Sequence, residues 1–375
     1  MPVRRTDKLL CLPGHVTSNM WDFVVVGAGP AGSRFARQAA RAGRSVLVVE
    51  KGTVGRPLAC SGHVSEDLWA FVPESHHERL RQNEIYGARF QLDGPATDGK
   101  AYPFYTEEPI SNAVDRVELD RVLADAAVAA GAELREGQTV TAADHRGDHV
   151  QVTVATAGAT ERIETRMVVG ADGPRSRIRD AAGLPEPEEF LHGVLGFDET
   201  ANTADFVDVH LDVPRFFAWR IPRGEAGTEY GLAVSPGEDA PARFDQLCEG
   251  YDVEPTTRCS GLIPIGPPAS VTGDRMLLVG DAAAQTKPFT GGGIVYGMRA
   301  ADIAAEVVDP AVPASLAAYE RAWRSELGRD QWLGKLVRAG YSLPAPLQRV
   351  GLRAFSGEIA VHMDRPSTLF SPAQL

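Results

Sequence analysis

Residues 21–51, WDFVVVGAGPAGSRFARQAARAGRSVLVVEK, hold the sharpest change of hydrophobic period in the chain. The β-branched run Phe23–Val26 predicts a buried strand, and apolar residues then recur at helical spacing to Ala42. Gly43 stops that helix, and SVLVVE predicts a second buried strand ending in Glu50. Residues 112–140 repeat the change: Val117, Leu119, Val122, Leu123 and Ala126 predict a helix that stops at Gly131, with a strand following toward Val140. RMVVG and RMLLVG, at 166–170 and 275–280, predict two more strands, the second running into Asp281 and a helix that opens at Gly291, Gly292 and Gly293. Between them, 194–235 alternates apolar and polar positions, which predicts a sheet with one face buried. Beyond 309, helical stretches are broken by Pro310, Pro313, Pro344 and Pro346.

Composition narrows the class. The chain of 375 residues is long enough for two or three domains. No apolar run approaches the length of a membrane span. A net charge of −12 without any basic stretch argues against nucleic acid as a partner. Cys11, Cys60, Cys248 and Cys259 show no metal-binding or disulfide spacing, which points to a reduced, cytoplasmic setting. The histidines form no repeated ligand spacing, so no metal is expected. Residues 1–19 read as a disordered tail or the product of an upstream start, because Met20 directly precedes the first strand.

Gly27-Ala-Gly29-Pro-Ala31-Gly32 stands at the turn from strand to helix, which is where a dinucleotide fingerprint belongs. Gly27 makes the tight turn, Gly29 lets a pyrophosphate approach the backbone, and Gly32 lets helix and strand pack closely. The helix N-terminus offers unpaired N–H groups to the diphosphate, and Glu50 can accept both hydroxyls of an adenosine ribose. Asp172-Gly173 suits a turn whose carboxylate organises backbone amides near phosphate. Arg116 opens its helix, where an unpaired cation opposes the dipole, so it reads either as a solvent-facing arginine or as one turned toward the cofactor. Asp281 can hold ribityl hydroxyls, and a helix starting at Gly292, Gly293 and Ile294 would aim its positive end at an isoalloxazine. NAD has neither group, so FAD is the expected cofactor.

This set of motifs, from 21 to 308, resembles the FAD-dependent fold shared with p-hydroxybenzoate hydroxylase and glutathione reductase. Pro214-xx-Phe217-x-Trp219-x-Ile221-Pro222 resembles the PxxYxWxFP signature of the geranylgeranyl reductases, with Phe for Tyr and Ile for Phe. ACSGHVS at 59–65 resembles their flavin-adjacent cysteine segment, and PFTGGGIVYGMRAA at 288–301 also resembles that family. The resemblance implies an α/β chain, α+β overall, with a Rossmann-like FAD-binding domain in three segments, 20–60, 110–183 and 270–308. A mixed-sheet substrate domain would take 61–109 and 184–269, and a helical region 309–375. It implies Gly62 and Val140 beside the cofactor, and reduction of isoprenoid double bonds in a lipid of the archaeal type.

The chemistry expected of such a site is specific. An isolated trisubstituted alkene is unpolarised, so hydride from flavin N5 must be matched by a proton. Cys60 is the candidate donor or pocket wall. Trp219 and Phe217 could stabilise cationic character through their faces, with Pro222 closing the motif. His63 stands where many relatives carry a small or apolar residue. Lys287 is either an ordinary loop lysine or a charge beside the flavin. NAD(P)H or a ferredoxin-like protein would supply electrons from outside, since no second fingerprint is present. The interleaved cations and apolar residues of 334–363 could rest on a bilayer. Two other classes remain open at this level: a flavin monooxygenase, halogenase or quinone-linked dehydrogenase on the same scaffold, and a non-catalytic prenyl carrier like the GDP dissociation inhibitors. FxWxIP also resembles the WxWxIP of flavin-dependent halogenases.

Overall fold

The computed structural model describes residues 20–56, 60–95, 100–358 and 364–367, so the expectation for 1–19 lies outside the described residues. Parallel strands build the first sheet in the order Met276–Leu278, Ala159–Gly170, Trp21–Val26, Val46–Val49 and Glu133–Arg135. Parallel strands are covered on both faces and therefore read as continuous apolar runs, and Val46–Val49 is buried at every position. The antiparallel strands Thr139–His145 and Val150–Thr156 continue from the long strand Ala159–Gly170 and share its core. Into that core pack the helices Pro30–Arg41 and Ile294–Val307, joined by a bidentate Arg34–Asp302 pair at 2.5 and 2.9 Å. Ala31 meets Gly280 and Gly297 here, and neither glycine has room for a Cβ.

A second, mixed sheet runs in the order Thr257–Ile265, Glu189–Asp198, Thr228–Val234, Ala218–Pro222, Phe206–His210, Gly87–Gln91, Tyr102–Tyr105 and Gly357–Glu358. The expectation of one buried face fails at Thr228–Val234, which is buried at all seven positions. On one side Tyr230, Leu232 and Val234 lie under Phe244 and Leu247 of the helix Ala240–Tyr251. On the other, Ala233 packs with Phe216 and Gly231 lies under Trp219. A strand enclosed from both sides loses the alternation that marks a half-exposed one.

A small third sheet, His63–Ser65, Ser111–Val114 and Arg81–Ile85, leads the chain into the helix Arg116–Ala129. The C-terminal helices are Leu316–Gly340 and Ala345–Phe355. Pro346 does not break the second helix, because it sits in the first turn, where the proline's missing N–H has no intrahelical partner to lose.

Candidate functional site

Glycines shape the nucleotide end. Gly27 has φ +101°, and a Cβ there would stand 2.4 Å from the Ala171 carbonyl oxygen. One at Gly32 would stand 2.1 Å from the Gly27 carbonyl oxygen. At Gly29 a Cβ meets nothing within 4 Å, so the backbone is open on the side a pyrophosphate would approach. The helix Pro30–Arg41 has no side-chain cap at Gly29, which leaves its first N–H groups available to an anion. Glu50 accepts from Ala28 N at 2.9 Å and Gly52 N at 3.0 Å, so its carboxylate sits at the rim of that turn. Asp172 accepts from Ser176 Oγ and from the N–H groups of Arg177 and Ile178, while burial raises its pKa. It braces the turn against which Gly27 packs. Val140 is buried, and its carbonyl accepts from Arg177 Nη1 at 3.2 Å.

The flavin end is built around Asp281. A Cβ on Gly293 would stand 2.7 Å from its Oδ1, so the carboxylate lies at the mouth of the helix Ile294–Val307, which also lacks a side-chain cap. Burial pushes Asp281 up to about 6, with Arg116 opposing. Among the described residues its carboxylate has no hydrogen-bond partner. Asp281 is half-buried, and a partly desolvated acceptor without a protein donor is one that ribityl hydroxyls would satisfy. The uncapped helices, the open face of Gly29 and the orphaned Asp281 fit FAD.

Arg116 is better partnered than its position suggests. It holds Asp120, one turn on, at 2.7 and 3.1 Å, and it also meets the Cys60 side chain. Burial works against its charge, but Asp120 and Cys60 more than offset this and hold its proton tighter than usual. Its Nε is buried without a partner among the described residues. Gly62, at φ +69°, lets the Cys60 loop close on this arginine, since a Cβ would stand 2.6 Å from Arg116 Cγ. His63 Nε2 lies 2.8 Å from Ser111 Oγ. Burial, Lys287 and Arg223 press its pKa down to about 3, so it is a neutral ring at working pH. Lys287 is not an exposed loop lysine. It is 4% exposed and paired with Asp364, which also accepts from Ser65 Oγ.

The aromatic motif forms a wall. Phe216 is fully buried, and Phe217 stacks on it at 4.4 Å and 15°. Trp219 stands edge-on to Phe217 at 5.8 Å, and Tyr341, just past the end of the helix Leu316–Gly340, closes on Phe217 at 5.9 Å. Pro222 ends the strand, its carbonyl bound by Asn83 Nδ2 at 3.2 Å. Sequence reasoning missed the pair behind this wall. Glu229 is fully buried, accepts from Trp219 Nε1 at 2.8 Å and meets Arg223 Nη1 at 2.8 Å. Arg223 donates onward to Ser61 O at 2.5 Å and Val114 O at 2.7 Å, tying the Cys60 loop to the Trp219 strand. One signal was available: a lone acid in an otherwise apolar strand, two residues before the glycine that pairs with Trp219. An open polar groove of about 430 Å³ near Arg81, Glu84 and Asp205 lies apart from these residues.

An FAD-binding oxidoreductase is the class that this fold and this site define, and two FAD binding domain families match, over residues 22–108 and 72–249. The chain is 30% identical to digeranylgeranylglycerophospholipid reductase 2 of Methanothermobacter thermautotrophicus over 83% of its own length and 85% of that protein's. It is 31% identical to menaquinone reductase of Mycobacterium tuberculosis over 77% of this chain and 76% of that one. Its backbone matches a geranylgeranyl bacteriochlorophyll reductase-like protein from Thermoplasma acidophilum with a TM-score of 0.82, at 21% identity and covering 93% and 98% of the two chains. The chain belongs to the geranylgeranyl reductase family of FAD-dependent enzymes.

Proposed function

We propose that this enzyme saturates isoprenoid double bonds of a membrane lipid, with Cys60 delivering the proton and the Phe217–Trp219 wall stabilising the cationic centre. The observation that carries this reading is Arg223, which ties Ser61, next to Cys60, to Glu229 and hence to Trp219. FAD bound by the residues named below would, in its reduced form, supply hydride chemistry at one alkene carbon. The Cys60 thiol gives its proton to the other, forming the second C–H bond, and the thiolate left behind faces Arg116. The aromatic faces lower the cost of positive charge on the tertiary carbon between these events. Gly27, Gly29, Ala31, Gly32 and Glu50 hold the nucleotide with Val140 and Asp172, while Asp281, Gly292, Gly293, Ile294 and Gly62 frame the flavin. We assign 20–60, 110–183 and 270–308 to the cofactor lobe and 61–109 and 184–269 to the substrate lobe, with the third sheet spanning the division where Ser111–Val114 pairs with His63–Ser65 and Arg81–Ile85.

Two relatives carry different lipids in their names, a digeranylgeranylglycerophospholipid and a menaquinone. We take the first class as the substrate, because the archaeal relatives match over the larger share of the chain. Electrons come from outside, from NAD(P)H or a ferredoxin-like protein.

The enzyme works from the cytoplasmic side, resting on the bilayer through its C-terminal helices. Among the described residues no helix is long and apolar enough to cross a membrane. Yet Trp332, Leu336, Leu343, Leu347, Val350 and Phe355 are all exposed, and residues 331–357 contain no acid in a chain of net charge −12. Leu352 of the same helix packs against the core cluster that Phe217 and Trp219 also border, which brings this helix close to the aromatic wall.

The test is anaerobic. The protein is reduced, mixed with digeranylgeranyl glycerophospholipid or with menaquinone, and followed by flavin reoxidation and product mass. Gain of one H₂ per double bond supports the reading. Indifference to both lipids, with rapid reaction toward oxygen, moves the enzyme to the monooxygenases.

A further inference from the structure

Glu229 takes no chemical part in the scheme above, yet it is 0% exposed on the strand Thr228–Val234. A buried carboxylate is tolerated only when paired and hydrogen-bonded, and an apolar residue would fill the space at lower cost. Its two oxygens are divided between two partners of the proposed site. Oε1 accepts the Trp219 indole N–H at 2.8 Å, and Oε2 meets Arg223 at 2.8 Å. The indole has little freedom besides. Trp219 pairs across the sheet with Gly231, and a Cβ on that glycine would stand 2.4 Å from the ring.

We propose that Glu229 is a positioning residue for alkene reduction: it orients and polarises the Trp219 indole and, through Arg223, holds the Cys60 loop. This rests on the reductase reading of the same site. An anionic acceptor on the indole N–H draws the proton outward and pushes electron density into the ring. The ring face then attracts a tertiary carbocation more strongly. Arg223 Nη1 donates to both Glu229 Oε2 and the Ser61 carbonyl, so the loop carrying the proton donor and the wall facing the cation move as one unit.

The charge on Glu229 is adjustable near neutrality. Burial pushes its pKa up to about 7, with Arg223 and the Trp219 N–H opposing. Arg223 is the ion facing it directly. Beyond Arg223 stand His63 on the third sheet, Lys287 with Asp364, and the Cys60–Arg116 pair. Ionised Glu229 supports the reaction, and protonated Glu229 weakens its hold on both partners.

The experiment compares wild type with Glu229→Gln, Glu229→Asp and Trp219→Phe. In substrate-free protein, the emission component lost in Trp219→Phe is titrated with pH. It should shift with a midpoint near 7 in wild type and stay constant in Glu229→Gln. Single-turnover reoxidation with prenyl lipid should rise through the same midpoint in wild type. In Glu229→Gln it should be roughly tenfold slower at alkaline pH and flat, with KM unchanged and partial rescue in Glu229→Asp. Combining Glu229→Gln with Trp219→Phe should cost no more than Trp219→Phe alone. Wild-type emission that ignores pH overturns the proposal, even where Glu229→Gln does not fold. So does a Glu229→Gln enzyme with wild-type rate and profile. A wild type that binds FAD and shows the emission titration but leaves prenyl lipid untouched sinks the reductase reading instead.

Discussion

Asp281 and Gly293 approach so closely that a methyl group on the glycine would stand 2.7 Å from the carboxylate Oδ1. The acid at the end of one strand and the open N-terminus of the next helix therefore form a single feature. That juxtaposition makes FAD affinity depend on both residues. Asp281→Ala should weaken FAD binding by roughly tenfold to hundredfold, the loss expected for hydrogen bonds to a charged acceptor. Gly293→Ala should also release flavin, by displacing the carboxylate. Flavin fluorescence on dilution measures both.

The same acid makes binding depend on pH. Burial raises Asp281 to about 6 in the protein without flavin, and hydroxyl donors favour its ionised form. FAD binding should release a proton below that value, so affinity falls as pH drops through about 6. Asp281→Asn should abolish this dependence. Calorimetric titration in two buffers of different ionisation enthalpy reads the proton release directly.

Cys60 meets Arg116, a cation that already has a carboxylate partner in Asp120, so its role should separate from folding. Cys60→Ala should retain the flavin spectrum and lose alkene reduction by about 10²–10⁴-fold, the usual contribution of a positioned proton donor. Anaerobic single-turnover mass spectrometry is the measurement. A Cys60→Ala enzyme of wild-type rate would place the donor elsewhere.

Glu229 also predicts a stability signature. Its pKa is raised in the folded state, from an ordinary 4.5 to about 7. Its contribution is thus fully present below the unfolded value and is lost as pH rises through the folded one. The difference in unfolding free energy between wild type and Glu229→Gln should therefore change between pH 4.5 and about 7, by at most roughly 3 kcal/mol. Asp281 and His63 titrate in both proteins and cancel in that difference. Urea titrations across the range check it.

On the C-terminal helices, Leu347→Asp with Val350→Asp should weaken sedimentation with anionic lipid vesicles, at low salt by lost apolar contact and added repulsion and at high salt by lost apolar contact alone. Turnover of detergent-dispersed substrate should be unaffected, because both side chains are exposed. Equal vesicle binding by variant and wild type would remove these helices as the contact.

The cofactor end of this protein was legible because backbone requirements there are local. Gly27, Gly29, Gly32 and Glu50 fall within one strand–helix–strand unit, and only glycine fits where the chain turns at φ +101° or meets a carbonyl at 2.1 Å. Asp281 and Gly293 were equally readable, being an acid and a small residue flanking one short loop. The substrate end was legible only as residue types. Phe217 and Trp219 looked the same on paper whether they packed a core or faced a ligand. Arg116 looked unpaired because its partners, Asp120 and Cys60, are set by helix pitch and by a loop closing from another element. Lys287 became a buried ion pair through a residue 77 positions away, and Arg223 reaches a carbonyl 162 positions away. Glu229 shows the limit most clearly. One acid in an apolar strand has no assigned role until the sheet sets it behind Trp219. Burial, which only the assembled sheets and helices create, then raises its pKa into the neutral range.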